Sequence, residues 1–129
     1  MLTDKIQVLI QTYNKTPLEA TYLSVLMDIR QSLVSLSFEL GLEVAKYKRE
    51  FDRCNYRRKI NFFQLKNDNL SEGVTKAETL AEVQIKDLRE SEKEFESLYT
   101  GCKIILNQVN EVLSSLQQDI SILKAELNG

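Results

Sequence analysis

Apolar residues recur along this chain at steps of three and four, the repeat that gathers them on one face of an α-helix. Leu33, Leu36, Leu40, Val44, Tyr47, Phe51 and Cys54 form one such series. Leu98, Cys102, Ile105, Val109, Val112, Leu116, Ile120, Leu123 and Leu127 form a second, and Ile6, Leu9, Ile10 and Tyr13 make a shorter one ahead of both. The breaks fall between these series. The pattern predicts a short helix over 4–13, a long helix over 17–66, a turn over 67–75 and a second long helix over 76–127.

Local signals mark the same boundaries. Asn14-Lys15-Thr16-Pro17 ends the first helix, and Thr16, Pro17 and Glu19 have the order of a cap, a first-turn proline and a completed capping box. Asn67-Asp68-Asn69 ends the first long helix; Thr75 and Glu78 make a second capping box after Gly73. Each long arm would have about 50 residues and span roughly 75 Å. Two equal arms joined by a short polar turn predict an all-α fold: a long antiparallel, coiled-coil-like hairpin with a short N-terminal helix, in one domain of 129 residues.

With the pairing centred near Ser71, Gly41 falls opposite Gly101. Either the glycines mark a close helix approach, or they are two unrelated weak points costing about 1 kcal/mol each against alanine. The same register holds Cys54 and Cys102 roughly 20 Å apart, beyond the reach of a disulfide. Two free thiols suit a reducing compartment.

The stretch Tyr22–Val44 is apolar nearly all round, more than one partner helix can cover. Tyr22, Leu26, Ile29, Leu33, Leu36 and Leu40 are therefore predicted to form an interface between copies of the chain, making it a homo-oligomer. In the competing reading the first helix folds back over this surface.

Composition narrows the function. Hydrophobic residues are 43% and charged residues 28%, and there are four glycines and a single proline, Pro17, which favours helix over strand. No apolar run approaches the roughly 18 residues of a membrane span. The start shows no charged leader followed by an apolar run and a cleavage site, so no export signal is expected and the expected location is the cytoplasm. There is no histidine, which removes the commonest general base and metal ligand. Neither a Gly-rich phosphate loop nor a nucleophile elbow is present, and the two cysteines are not spaced as metal ligands. No catalytic residue, metal or cofactor is predicted; the chain reads as a non-enzyme.

One segment stands out chemically. Residues 46–66 hold eight Lys or Arg against Glu50 and Asp52, in a chain whose net charge is −2. On a helical wheel Lys46, Arg49, Arg53 and Arg57 form a ridge away from the core stripe, with Lys48, Lys59 and Lys66 beside it. Tyr56, Ile60 and Phe63 fall on the same outward arc. Cations that neutralise phosphates, interleaved with rings that stack on bases, suit single-stranded nucleic acid. A solvated helix face neutralised by the acidic stretch 72–96, or a dock for an acidic protein, would have the same composition. Arg58 lies on the apolar stripe instead, at the level of Gln84, Glu82 and Asp87, and is predicted to make a structural ion pair.

These features, taken in order, resemble the UvsY-type recombination mediators of T-even phages. The resemblance covers about 42–123. It rests on the basic helix Lys46–Lys66, the polar turn Asn67–Gly73 and the Ala/Glu-rich helix start Thr75–Val83. It continues through the Leu88, Phe95, Tyr99 spacing and the step Thr100-Gly101-Cys102 before an apolar C-terminal helix. It implies a phage protein forming a ring-like homo-oligomer that binds single-stranded DNA and loads a recombinase onto DNA coated with ssDNA-binding protein. The DNA contacts it implies are Arg49, Arg53, Arg57 and Lys59. The reading from another class is a helical structural or interaction protein, such as a phage assembly or virion component or an inhibitor of a host defence complex.

Overall fold

A computed structural model of the chain describes residues 1–129. It is all-helical, with no strand. The α-helices are α1 (Leu2–Lys15), α2 (Leu23–Asp68), α3 (Val74–Gln84) and α4 (Lys86–Asn128), with 3-10 turns at Ala20–Tyr22 and Leu70–Glu72. The chain divides into two compact units: unit 1 is Met1–Glu43 with Cys102–Gly129, and unit 2 is Val44–Gly101.

The helix ends differ from expectation at both predicted capping boxes. Thr16 does not open a helix: it ends α1 in an extended conformation, as a residue before proline favours, and its hydroxyl donates back to the Thr12 carbonyl at 2.7 Å. Pro17 and Glu19 belong to the connection, and α2 starts only at Leu23 after the 3-10 turn. Thr75 does not cap either. The residue before α3 is Gly73, whose φ of +101° suits a residue without a Cβ, and its carbonyl accepts from the Ala77 N–H. Asn69 closes the end of α2, its side-chain amide donating to the Leu65 carbonyl at 2.7 Å.

The predicted helix over 76–127 is two helices. At Ile85 the backbone turns to φ −95° and ψ 7°, while Ile85 still donates to Ala81 and Arg89 to Ile85. The ladder thus continues across the break in helical geometry. Arg89 spans the break with two hydrogen bonds to the Glu82 carboxylate, at 2.8 and 2.6 Å.

In unit 1, α1 packs on the first part of α2 and the last part of α4. Ile6, Leu26, Ile29, Leu33, Leu40, Val109, Leu116, Ile120 and Leu123 form one buried cluster, edged by Leu9, Ile10, Tyr13 and Leu36. The heptad-like steps of α2 and α4 are what bring these residues to common faces. Each fully buried Leu or Ile contributes about 1.5–3 kcal/mol. The Tyr13 hydroxyl donates to Asp119 at 2.6 Å, fastening α1 to α4. Burial, then the hydrogen bond and charge of Asp119, push the Tyr13 phenol up to about 12.

This packing corrects the predicted interface. Leu26, Ile29, Leu33 and Leu40 are buried in the chain's own core, and Leu36 packs against it, because α1 and α4 both reach this face of α2. Tyr22 alone of the six stays at the surface. The apolar residues left exposed are on the opposite side of the helix, chiefly Phe38 at 71% and Leu42 at 59%. The glycine expectation is corrected as well: a Cβ added at Gly41 or at Gly101 would meet no atom within 4 Å, so neither lies in a close approach. Both cysteines are free thiols. Burial, then the nearby Glu43 carboxylate, raises the Cys102 pKa.

Unit 2 has a thinner core. Ala77, Ala81 and Ile85, one turn apart on one face, are its fully buried residues, while Tyr47, Phe51, Cys54, Phe62 and Leu65 of α2 are half-buried. Polar pairs supplement it. Lys66 reaches Glu78 at 3.1 Å, and the half-buried Arg58 binds Glu92, which also accepts from Asn55 at 2.9 Å. Arg58 does make the expected ion pair, but with a partner more than one helical turn beyond Asp87. The register drifts along the helices: Lys66 meets Glu78 close to the turn, whereas Arg58 meets Glu92.

Candidate nucleic-acid interface

The basic segment lies within α2, on the part of the helix that belongs to unit 2. It contains no proline or glycine, so one unbroken ladder sets the direction of every side chain in it. Its inward face carries Tyr47, Phe51, Cys54, Arg58, Phe62 and Leu65, and its outward face is fixed by default. Lys46, Arg49, Arg53, Arg57 and Lys59 are all solvent-exposed, as predicted from the wheel. Tyr56 is 68% exposed and Phe63 61% exposed; Ile60 between them is half-buried.

The rings are placed for stacking. Tyr56 and Phe63 are seven residues apart, about 10.5 Å along the axis and nearly in line. Phe63 is braced by its neighbour Phe62, whose ring meets it edge-on at 6.1 Å and 73°.

The cations fall into two groups. Lys48 and Arg53 are engaged along the helix, Lys48 with Asp52 at 3.0 Å and Arg53 with Glu50 at 3.1 Å. Lys48 is held further by the rings of Phe51 and Tyr99, 5.4 and 5.6 Å from its ammonium. Its hydrogen bond to Asp52 raises the ammonium pKa above the ordinary lysine value. Lys46 lies over Tyr47 at 5.9 Å. Arg49, Arg57 and Lys59 make no ion pair. They are cations with their donors turned to solvent.

Neutralisation by the acidic stretch 72–96, one of the alternatives, reaches the arc only at its end, where Lys66 pairs with Glu78. The other ion pair that crosses from α2 to that stretch, Arg58–Glu92, lies on the inward side. The remaining neutralisation comes from Glu50 and Asp52 on the same helix. That wiring was available in the sequence as pairs three and four residues apart. The Asn55–Glu92 contact and the Tyr99 ring beside Lys48 were not, since each depends on which turn of α4 lies alongside.

A shallow depression on the outward face is lined by Ala45, Lys48, Arg49, Asp52, Arg53 and Tyr56. The small Ala45 side chain leaves it open. Chemically the arc offers phosphate donors, two stacking surfaces and one shallow recess, with no nucleophile, acid–base pair or metal-ligand group. No group of three or more Cys, Asp or Glu is arranged to hold a metal.

No family model, curated protein or solved structure matches this chain.

Proposed function

We propose that this chain is a single-stranded DNA-binding protein of recombination or replication, acting as a homo-oligomer that helps to load a recombinase. The observation that carries the DNA-binding part is the set Arg49, Arg57 and Lys59, exposed and unpaired, on the arc that also exposes Tyr56 and Phe63. Three free cations supply counterion release, and two open rings supply stacking worth about 1–3 kcal/mol per base. Duplex DNA keeps its bases stacked inside, so the rings favour a single strand.

The mediator role, with a recombinase and an ssDNA-binding protein as partners, extends the resemblance to UvsY-type proteins. Self-association is supported by Val34, Phe38 and Leu42, an apolar face of α2 left open in unit 1. In the same reading α2 and α4 are the arms of an antiparallel hairpin. Within unit 2 the contacts Lys48–Tyr99, Arg58–Glu92 and Lys66–Glu78 favour it, rising residue numbers meeting falling ones. No helix is long and apolar enough to cross a membrane, and the proposed site of action is the cytoplasm, that of the host for a phage-encoded protein.

The open apolar face also favours a second reading, a helical structural or interaction protein that binds no nucleic acid. Titration of fluorescent oligo-dT at several salt concentrations separates the two. A DNA-binding protein loses affinity steeply as salt rises, whereas an interaction protein shows no binding even at low salt.

A further inference from the structure

We infer that Glu50 and Asp52 act as built-in competitors of the phosphate backbone, keeping the basic strip of α2 in a weakened, readily exchanging state; the inference rests on the single-strand reading above. Two acids interrupt an otherwise basic stretch, and each holds one of its cations. Glu50 holds Arg53 at 3.1 Å, and Asp52 holds Lys48 at 3.0 Å. Asp52 also lines the outward depression together with Arg49, Arg53 and Tyr56. A phosphate beside Arg49 would therefore sit next to a carboxylate.

Both pairs are exposed. The side chains of Lys48 and Asp52 are 48% and 57% accessible, and those of Arg53 and Glu50 61% and 35%. Exposed pairs of this kind contribute little to stability. Their effect on a ligand is larger, because they cancel charge at the point of contact. Strand binding becomes an exchange in which a phosphate oxygen takes the hydrogen-bond position a carboxylate held. No covalent bond is made or broken, and the released carboxylate returns to water.

Arg53 is the cation most affected. Lys48 stays partly committed to the rings of Phe51 and Tyr99 after Asp52 is removed, whereas Arg53 has Glu50 as its sole ion-pair partner. Glu50 is accordingly the stronger of the two brakes.

The test compares the full chain with Glu50→Gln, Asp52→Asn and the double variant, using oligo-dT anisotropy from about 20 to about 200 mM salt. The double variant is expected to bind roughly ten-fold tighter at the low end, with a steeper salt slope by about 0.7 for each cation released. Glu50→Gln should account for more of the gain than Asp52→Asn. Glu111→Gln, an exposed acid in unit 1, controls for net charge and should change affinity less than about two-fold. Circular dichroism checks that helicity is retained.

If the wild-type chain binds and the double variant gains no more than Glu111→Gln, the competitor role is overturned and the DNA reading stands. Binding by the double variant alone supports the inference in its strongest form. If neither protein binds at any salt, both the inference and the DNA reading fall.

Discussion

Arg58 and Glu92 form the most enclosed ion pair of the chain, their side chains 18% and 14% exposed. Burial by itself would raise the Glu92 pKa. The hydrogen bonds from Arg58 and Asn55, with the charges of Arg58 and Arg89, outweigh it and leave the carboxyl below its ordinary value of 4.5. The pair sits where unit 2 has only alanines and one isoleucine fully buried, so a larger share of that unit's cohesion is polar.

Glu92→Ala is expected to destabilise the chain by about 2 kcal/mol, because it leaves the Arg58 guanidinium half-buried without its acceptor. The pH dependence follows from the lowered pKa. Stability from ionised Glu92 is fully present above the unfolded-state value near 4.5 and is lost as pH falls through the lower folded value. Urea midpoints measured from neutral pH into acid should therefore fall less steeply for Glu92→Gln than for wild type. Parallel curves would show that Glu92 does not carry this part of the acid response.

Leu33 and Phe38 should separate core from surface on a single helix. Leu33 is fully buried in unit 1, and its change to alanine is expected to cost about 2–5 kcal/mol. Phe38 is 71% exposed, and Phe38→Ser should stay within about 0.5 kcal/mol. Chemical denaturation of the two variants measures both. If Phe38→Ser also shifts the molecular mass seen by light scattering, the open face of α2 joins copies of the chain.

Gly41→Ala is expected to stabilise α2 by about 0.5–1 kcal/mol. The added methyl meets no atom within 4 Å, so only the backbone entropy of the unfolded chain changes. A lower melting temperature would reveal a crowded environment at this position.

The arc makes the sharpest distinction between cations and rings. Reversal of Arg49, Arg53 and Arg57 to glutamate is expected to abolish oligo-dT binding with helicity and oligomer size intact, since all three point away from the core. Arg49→Ala and Arg57→Ala should each flatten the salt slope by about one phosphate contact, and Arg53→Ala by less because Glu50 already occupies it. Tyr56→Ala should weaken binding at an unchanged slope, because stacking releases no counterions. These are read from the same titrations, and an unchanged affinity in Tyr56→Ala removes the stacking role.

The residues legible in the sequence were those governed by local periodicity. The inward positions Val109 and Leu116, the outward positions Arg49 and Tyr56, and the stop at Asn67–Asn69 all follow from 3.6 residues per turn and local turn chemistry. Where a reading needed to know what packs where, it went astray. Leu26 and Ile29 looked like surplus apolar surface because nothing local says that α1 folds over them. The Glu92 partner of Arg58 depends on the register between α2 and the helices that follow, which drifts away from the turn. Thr16 and Thr75 matched a capping pattern that the backbone around them does not follow: Glu19 after Thr16 is extended, and α3 has already begun at Val74, after Gly73.

The division into units has a consequence for the order in which the chain assembles. Unit 2 is one uninterrupted stretch, whereas unit 1 joins residues 1–43 to residues 102–129. Contacts between neighbours in sequence form with less loss of chain entropy, so residues 44–101 are poised to fold first and to shorten the loop that unit 1 must close. Until then Leu26, Leu33 and Leu40 remain uncovered on the early part of the chain, the interval in which it is most exposed to chaperones and to aggregation. Kinetics would register this order: substitutions at Ala81 should slow refolding, while those at Leu116 should mainly speed unfolding.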